Sequence, residues 1–345
     1  MAEREPRAYI PHAGWLSHAP ADELISLLRQ GYFEAAEQAF FWLYLRPGDW
    51  FFDCGAHVGL YSSVASRATG GQCHVFALEP SEATARLLES NIAASGLDGA
   101  RVFRSALWRE PGHVSFLDEP PQRSAYSRIT FQEQPGSKTV PATTLDELAA
   151  LSGAQEIALV KLDVEGAEPE ALEGARGGLA RGVFSVLMIE FTEANLQRRG
   201  MSTVQLASRV EGSGYRLCEL SRETLQLAPV RVDGPIWFGN LFAVRDLDSV
   251  NRRLATADGE HVEVARDILA RAAACDRFRE LEELDVTRAL AESNKQWALN
   301  VEELLRKEHE LSASLKDWAE RTERMLAEER SEHGRGEATR DAGKP

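Results

Sequence analysis

Cysteine is scarce in this chain: there are 4 in 345 residues, Cys54, Cys73, Cys218 and Cys275. None has Cys-x-x-Cys or zinc-finger spacing, which excludes a disulfide framework and a structural zinc cluster. The thiols are therefore expected to be reduced, in a cytoplasmic protein. Basic residues are also in deficit, 39 Lys and Arg against 54 Asp and Glu, for a net charge of -15. A general nucleic-acid surface needs clustered positive charge, so no nucleic acid is expected as a partner. No apolar run reaches the length of a membrane span, and the first residues carry Glu3, Glu5, Asp22 and Glu23 where a leader would be apolar. No transmembrane segment is expected.

What is present is a composition of 43% hydrophobic and 27% charged residues, which suits one globular domain with a helical appendage. Residues 1–20 contain Pro6, Pro11, Gly14 and Pro20 and read as irregular, whereas 21–45 has helical spacing. Residues 1–46 are thus expected to form a helical lid. Strand patterns recur at Trp50–Asp53, His74–Leu78, Arg101–Leu107, Ile157–Leu162 and Phe184–Glu190, separated by helical segments such as Glu82–Ser95 and Ala167–Leu179. This alternation predicts an α/β domain over 47–250 with a parallel sheet and right-handed crossovers. Two closer strands, Tyr215–Leu220 and Asn240–Val244, follow. Between the third and fourth core strands, 115–139 is rich in Pro, Gln, Ser and Arg. It is either a solvated insertion or a crevice loop in which Arg123, Tyr126 and Arg128 touch substrate.

The stretch Phe51-Phe-Asp53-Cys-Gly55-Ala-His57-Val-Gly59 combines a buried strand, a glycine turn and a helix start, and Glu79-Pro80 ends the next strand. A dinucleotide site would show Gly-x-Gly-x-x-Gly facing a pyrophosphate. Here Asp53 stands where the first of those glycines belongs, and a carboxylate there suits a ligand with an amino group and a sulfonium charge. Gly55 and Gly59 lack a Cβ and let backbone approach a ligand, while Glu79 can accept both ribose hydroxyls. The cofactor implied is S-adenosylmethionine. A nicotinamide oxidoreductase fails on the missing third glycine.

With Ile157-Ala-Leu-Val-Lys161-Leu-Asp163-Val-Glu165-Gly166-Ala-Glu168, followed by Leu172, Gly174 and Ala175 and preceded by Thr144-Leu145-Asp146, the chain resembles the FkbM-type S-adenosylmethionine-dependent methyltransferases over about residues 33–245. The resemblance implies a Rossmann-like class I methyltransferase sheet, mostly parallel, with an antiparallel pair at one edge. His57 and Glu190-Phe191-Thr192 depart from the family, which more often has asparagine at the first and a histidine shortly after the glutamate. By the same analogy Ser105 and Ala106 are expected near adenine, and Asn91 is expected to be structural.

Methyl transfer to a hydroxyl needs in-line alignment and removal of a proton. Asp163, Glu165 and Glu190 are the candidate catalytic carboxylates, with Asp163 favoured as base or orienting group. Glu165 and Glu168 are open to a helix-capping role, and Glu190 to an ion pair with Arg198 or Arg199. Asp53 either contacts the methionine portion or fixes the glycine turn, and His57 serves as a base or orients the cofactor. Two of the carboxylates could instead hold a divalent metal that acidifies the alcohol.

Beyond Arg253, Leu290, Trp297, Leu304, Leu311, Trp318 and Met325 recur at heptad spacing. A long helical coiled-coil segment within 251–333 is expected, joining the chain to itself or to a partner protein, with a disordered tail over 334–345. The leading expectation is an O-methyltransferase acting on a hydroxyl of a sugar, glycan or secondary metabolite, with docking to a polysaccharide assembly machine as the role of the coil. The alternative is a non-catalytic coiled-coil scaffold with a vestigial cofactor domain.

Overall fold

A computed structural model of the chain describes residues 6–20, 22–29, 33–131, 134–274 and 306. The chain divides into two units, 1–275 and 276–345, and the architecture below is that of the first. The heptads of 276–333 and the polar tail lie outside the described residues, Arg306 apart.

Where prolines and glycines predict irregular backbone, the chain forms a hairpin, β1 (Arg7–Ile10) against β2 (Gly14–Ser17). Ala8, Ile10 and Leu16 are buried on one face of it. Asn91 fastens the hairpin: its Oδ1 accepts the Ser17 N–H, and its amide donates to the carbonyls of Ser17 and Val58. The structural role expected of Asn91 is this clamp. The helical spacing of 21–45 resolves into α1 (Glu23–Leu28), capped by Asp22, and α2 (Ala35–Tyr44).

β3 (Trp50–Cys54) leads through the glycine turn into α3 (Leu60–Thr69), and β4 (His74–Leu78) into α4 (Glu82–Ser95). The Ser81 hydroxyl caps the start of α4, and Gly96 in the left-handed region ends it. The strand predicted as Arg101–Leu107 is two. β5 (Ala100–Phe103) joins the main sheet, whereas β6 (Ala106–Leu107) turns away to pair in a second sheet with β7 (Gly112–Leu117), β8 (Arg128–Ile129) and β9 (Ser137–Thr143), in the order β6-β9-β7-β8. The described part of the 115–139 segment therefore contributes to a small sheet, with most of its residues exposed or half-buried.

α5 (Leu145–Ser152) starts at a capping box between Thr144 and Glu147, and β10 (Ile157–Leu162) is buried along its whole length. The single helix predicted over Ala167–Leu179 is broken into α6 (Glu168–Glu173) and α7 (Arg176–Arg181). The break has a tertiary cause: the Asp146 carboxylate accepts the N–H groups of Gly177 and Gly178, so a new helix starts there. β11 (Phe184–Glu190), α8 (Glu193–Gln197), α9 (Thr203–Gly212), β12 (Arg216–Leu220), β13 (Leu227–Pro229), β14 (Asn240–Val244) and α10 (Leu247–Ala255) follow. The domain end expected at residue 250 falls inside α10. Residues 259–274 are also helical, and Ala265, Ile268 and Leu269 are buried in the same apolar cluster as Phe40 and Phe41 of α2.

The main sheet runs β13-β12-β14-β11-β10-β3-β4-β5. β3, β4, β5, β10 and β11 are parallel, β14 is antiparallel to β11, and β12 is antiparallel to both β14 and β13. The antiparallel edge implied by the family resemblance is present, with β13 as its outermost strand. Alternation sorts the core onto two faces. Phe51, Val75, Leu159 and Val186 pack with α2, α3 and α4, while Phe52, Phe76, Val160 and Leu187 pack with α5, α7 and α9. The strand order reverses at β3 and β10, which places the loops after these strands around one crevice.

Candidate functional site

A cavity of about 540 Å³ lies at the carboxyl ends of β3, β4 and β10, within the usual size of a small-molecule site. Gly55, His57, Glu79, Pro80, Ser105, Ala106, Asp163, Glu165 and Glu190 all line it. Arg123, Tyr126 and Arg128, from the segment between β7 and β9, line it as well. Asp53 and Gly59 do not.

Both glycines of the turn have positive φ, 79° at Gly55 and 88° at Gly59. What presses on them is protein. A Cβ on Gly55 would lie 1.8 Å from the Asp163 carbonyl oxygen, and one on Gly59 would lie 2.7 Å from Leu88 Cδ1. The bare backbone of Gly55 thus seats β3 against the end of β10, while Gly55 itself stays on the cavity wall.

Asp53 is fully buried, and its Oδ2 accepts the backbone N–H of Ser62 at 3.1 Å and the Ser62 hydroxyl at 2.7 Å. Ser62 is the third residue of α3, whose N-cap position is held by Gly59 and has no side chain to offer. Asp53 supplies that cap from the preceding strand. Of the two roles open to Asp53, the geometry is that of fixing the turn.

Glu79 is 6% exposed and held from both sides: Oε2 accepts the His57 N–H at 3.1 Å and Oε1 the Ser81 N–H at 2.8 Å. Burial pushes its carboxyl up to about 7. His57 has a φ of 50°, and its Nε2 is hydrogen-bonded to Ser124 Oγ at 2.7 Å. Burial, with the Lys161 charge second, lowers the imidazole to about 4. At neutral pH it is an uncharged hydrogen-bonding group and a weak base.

Opposite stands the acidic cluster. Lys161, inside the buried run of β10, donates to the Gly55 carbonyl and to Asp163 Oδ2, both at 2.9 Å, and lies 4.0 Å from Asp53 Oδ1. Burial alone would lower this ammonium, but Asp163 and Asp53 hold it above its ordinary value, so it stays charged. Glu165 has a φ of 54°, and its Oε2 accepts the Asn195 amide at 2.8 Å. Burial, then the charges of Asp163 and Glu168, push it up to about 8. Glu190 is 7% exposed, and burial followed by Asp163, Glu165 and Glu168 raises it well above the usual carboxylate range. Its Oε2 has no hydrogen-bond partner. Asp163, Glu165 and Glu190 each offer an oxygen within 4.8 Å of the others.

Glu168 serves locally: its Oε1 accepts the N–H groups of Val164 and Gly166 and stiffens the turn into α6. The ion pair open to Glu190 is not formed, because Arg199 pairs with Glu170 and Arg198 donates to Asn195 Oδ1. Glu34, Ser124 and Phe238 also line the cavity but carry no motif in the sequence. Glu34 lies outside the helical region at φ 46° and accepts from the Tyr61 hydroxyl at 2.6 Å and the Asn240 amide at 2.8 Å, contacts that exist only after folding. Lys161 was detectable as a lone cation within the apolar run Leu159-Val160-Lys161-Leu162. Of the five non-glycine residues with positive φ among those described, Glu34, His57 and Glu165 line this one cavity. Such strain concentrates where a site is over-determined by its surroundings.

The sheet order, the antiparallel edge and a crevice at the point of strand reversal define a Rossmann-like methyltransferase architecture. Residues 53–217 match the family model of the methyltransferase FkbM domain, the family that the chain's two motifs resemble. The chain is similar to the hexuronic acid methyltransferase AglP of Haloferax volcanii, 29% identical over 142 residues, covering 41% of this chain. That match spans 56% of the relative's length, little more than half. A methyltransferase FkbM structure from Methylobacillus flagellatus is similar at 15% identity and a TM-score of 0.39, covering 58% of this chain and 44% of that one. A SAM-dependent O-methyltransferase from Thermotoga maritima gives 15% identity and a TM-score of 0.34, with 63% and 64% covered. No described helix is long and apolar enough to cross a membrane.

Proposed function

We propose that the chain is an S-adenosylmethionine-dependent O-methyltransferase whose acceptor is a hydroxyl group of a sugar. The observation that carries this reading is the pairing, across one cavity, of a carboxylate held by two backbone N–H groups with a cluster of three less satisfied carboxylates. Glu79, oriented at the end of β4, retains lone pairs for a ribose diol. The surrounding acids suit a ligand with a positive sulfur, and the donor set therefore fits the cofactor. When bound, S-adenosylmethionine supplies a methyl group on a sulfonium, which becomes a neutral thioether on transfer.

The chain's own residues would act as follows. The Gly55–Gly59 turn and Glu79 hold and orient one end of the crevice, with Ser105 and Ala106 beside them. Neutral His57, tied to Ser124, adds no positive charge to that wall. The Asp163, Glu165 and Glu190 carboxylates hold the acceptor hydroxyl in line and take its proton as the oxygen–carbon bond forms. Glu165 and Glu190, both raised by burial, are better proton acceptors than ordinary carboxylates. A sugar acceptor is supported by the family match and by the relative named for a hexuronic acid.

Calorimetric titration of the full chain with S-adenosylmethionine tests the cofactor part, and transfer of a labelled methyl group to a panel of neutral and uronic sugars tests the acceptor part. One-to-one binding that Glu79→Ala weakens at least tenfold is expected. Absence of binding by the wild-type chain would end the reading, and binding with no transfer to any sugar would leave methyl transfer to another hydroxyl class.

A further inference from the structure

Cation ligation by a defined set of residues goes beyond methyl transfer itself. We propose that Asp163, Glu165 and Glu190 form a site for one hard divalent cation of the magnesium and manganese class, at the acceptor end of the cavity. The role assigned to it rests on the methyl-transfer reading; the binding does not.

Two neighbouring strand ends converge here. Asp163 comes from the end of β10, Glu165 from the turn that follows, and Glu190 from the last position of β11, the neighbouring parallel strand. One oxygen from each lies within 4.8 Å of the other two. Opposite ligands on a cation at about 2.4 Å are about 4.8 Å apart and adjacent ones about 3.4 Å, so the three oxygens fall within the span of one coordination sphere. All three donors are carboxylate oxygens with no imidazole or thiolate among them, which selects a hard ion.

An acidic cluster alone would say little. The independent observation is Glu190 Oε2. This side chain is 7% exposed, lines the cavity, and has one carboxylate oxygen buried without any donor. Buried polar oxygens are nearly always partnered, and one without a donor is costly. Among the described groups the one uncommitted donor nearby is the Thr192 hydroxyl, which carries no positive charge, and the charged and amide donors are engaged elsewhere. Lys161 is committed to Asp163 and to the Gly55 carbonyl, Asn195 donates to Glu165, Arg198 to Asn195, and Arg199 to Glu170 and Gly166. A single divalent cation would partner the Glu190 oxygen and offset the charge that Lys161 leaves over. The Asn195 amide on Glu165 Oε2 then acts as the outer hydrogen bond that commonly orients a metal-binding carboxylate. An open coordination position would face the cavity, where the acceptor hydroxyl belongs.

The test is a titration of the metal-free full chain with Mn²⁺, read by loss of the free-ion electron paramagnetic resonance signal, with S-adenosylmethionine binding measured on the same samples. One strongly bound Mn²⁺ per chain, displaced by Mg²⁺, is expected. Glu190→Gln and Glu165→Gln should each weaken it at least tenfold, and Glu89→Gln, an exposed acid paired with Arg104, should leave it unchanged. Absence of such a site up to millimolar Mn²⁺, or one that both cluster variants retain, overturns the proposal. If Glu190→Gln fails to fold, the partly exposed Glu165→Gln decides alone. Mn²⁺ binding without cofactor binding would sink the methyl-transfer reading and leave the cation site standing. Cofactor binding without Mn²⁺ would do the reverse.

Discussion

The two walls of the cavity are both lined by acids, yet they are built on opposite principles. On the β3–β4 wall Glu79 has a backbone donor on each oxygen, from His57 and Ser81, while behind the wall Asp53 has Ser62 on Oδ2 and only the Lys161 charge near Oδ1. On the β10–β11 wall Asp163 leans on Lys161, Glu165 has one side-chain amide, and Glu190 has an oxygen with nothing. Backbone donors are fixed when the chain folds, so the first wall is finished before any ligand arrives. The second is left short of positive charge. A preorganised wall suits recognition, and an unsatisfied one suits chemistry that delivers a cation, a proton donor or a positively charged cofactor.

The change that breaks the comparison most severely is Lys161→Met, which strips the acidic wall of its one buried ammonium. It should destabilise the chain by about 3–5 kcal/mol, as removal of one partner of a buried pair does, measured by urea unfolding. Next is Gly55→Ala, where a Cβ must displace the Asp163 carbonyl and the backbone is in the left-handed region. A loss of about 3 kcal/mol is expected from strain and overpacking. A value near zero would show that β3 and β10 are less tightly seated than the geometry requires.

Glu79→Ala separates recognition from stability. It should weaken S-adenosylmethionine by at least about 1.4 kcal/mol, a factor of ten, while the unfolding midpoint moves far less than for Lys161→Met. Equal effects on both would mean that Glu79 is structural.

Stability should also depend on pH with a definite sign. Glu79 and Glu37 have folded-state values raised to about 7 and about 8, in each case chiefly by burial, from an ordinary 4.5. The folded state then binds more protons than the unfolded one between pH 4.5 and 8, so stability contributed by these groups is full below that window and falls as pH rises through it. Unfolding curves at pH 5.5 and 8 should show the higher midpoint at pH 5.5, and Glu37→Gln should shrink the difference. The smallest effect belongs to Ser124→Ala, which removes a single hydrogen bond to His57 and should cost about 1 kcal/mol. If it instead abolishes cofactor binding, the wall of the small sheet takes part in recognition directly.

The strands of the parallel sheet were legible because β10 and β11 are continuous apolar runs and β3 and β4 are nearly so, a pattern that buried parallel strands impose. The helix α4 was legible as Glu82–Ser95, because its caps at Ser81 and Gly96 are local chemistry. The break between α6 and α7 was not, since Asp146 lies about thirty residues upstream and meets Gly177 only in the folded chain. The same holds for β6: nothing local in Ala106-Leu107 says that it leaves one sheet for another. In the site, the two motifs located Gly55, His57, Glu79, Pro80, Asp163 and Glu165 on the cavity wall, but not which protein groups meet Gly55, Gly59 and Asp53. Their neighbours turned out to be the Asp163 carbonyl, Leu88 and α3, partners that are distant or invisible in a linear pattern.

Hydrophobic period, glycine placement and acidic strand ends are set by short-range geometry, and they were enough to read the class of fold, the position of the crevice and much of its wall. Only the tertiary structure decided which acids are satisfied and which are not. That distinction depends on where buried donors such as the Ser62 amide, Lys161 and Asn195 come to rest, and a donor within hydrogen-bonding distance in space can be a hundred residues away along the chain.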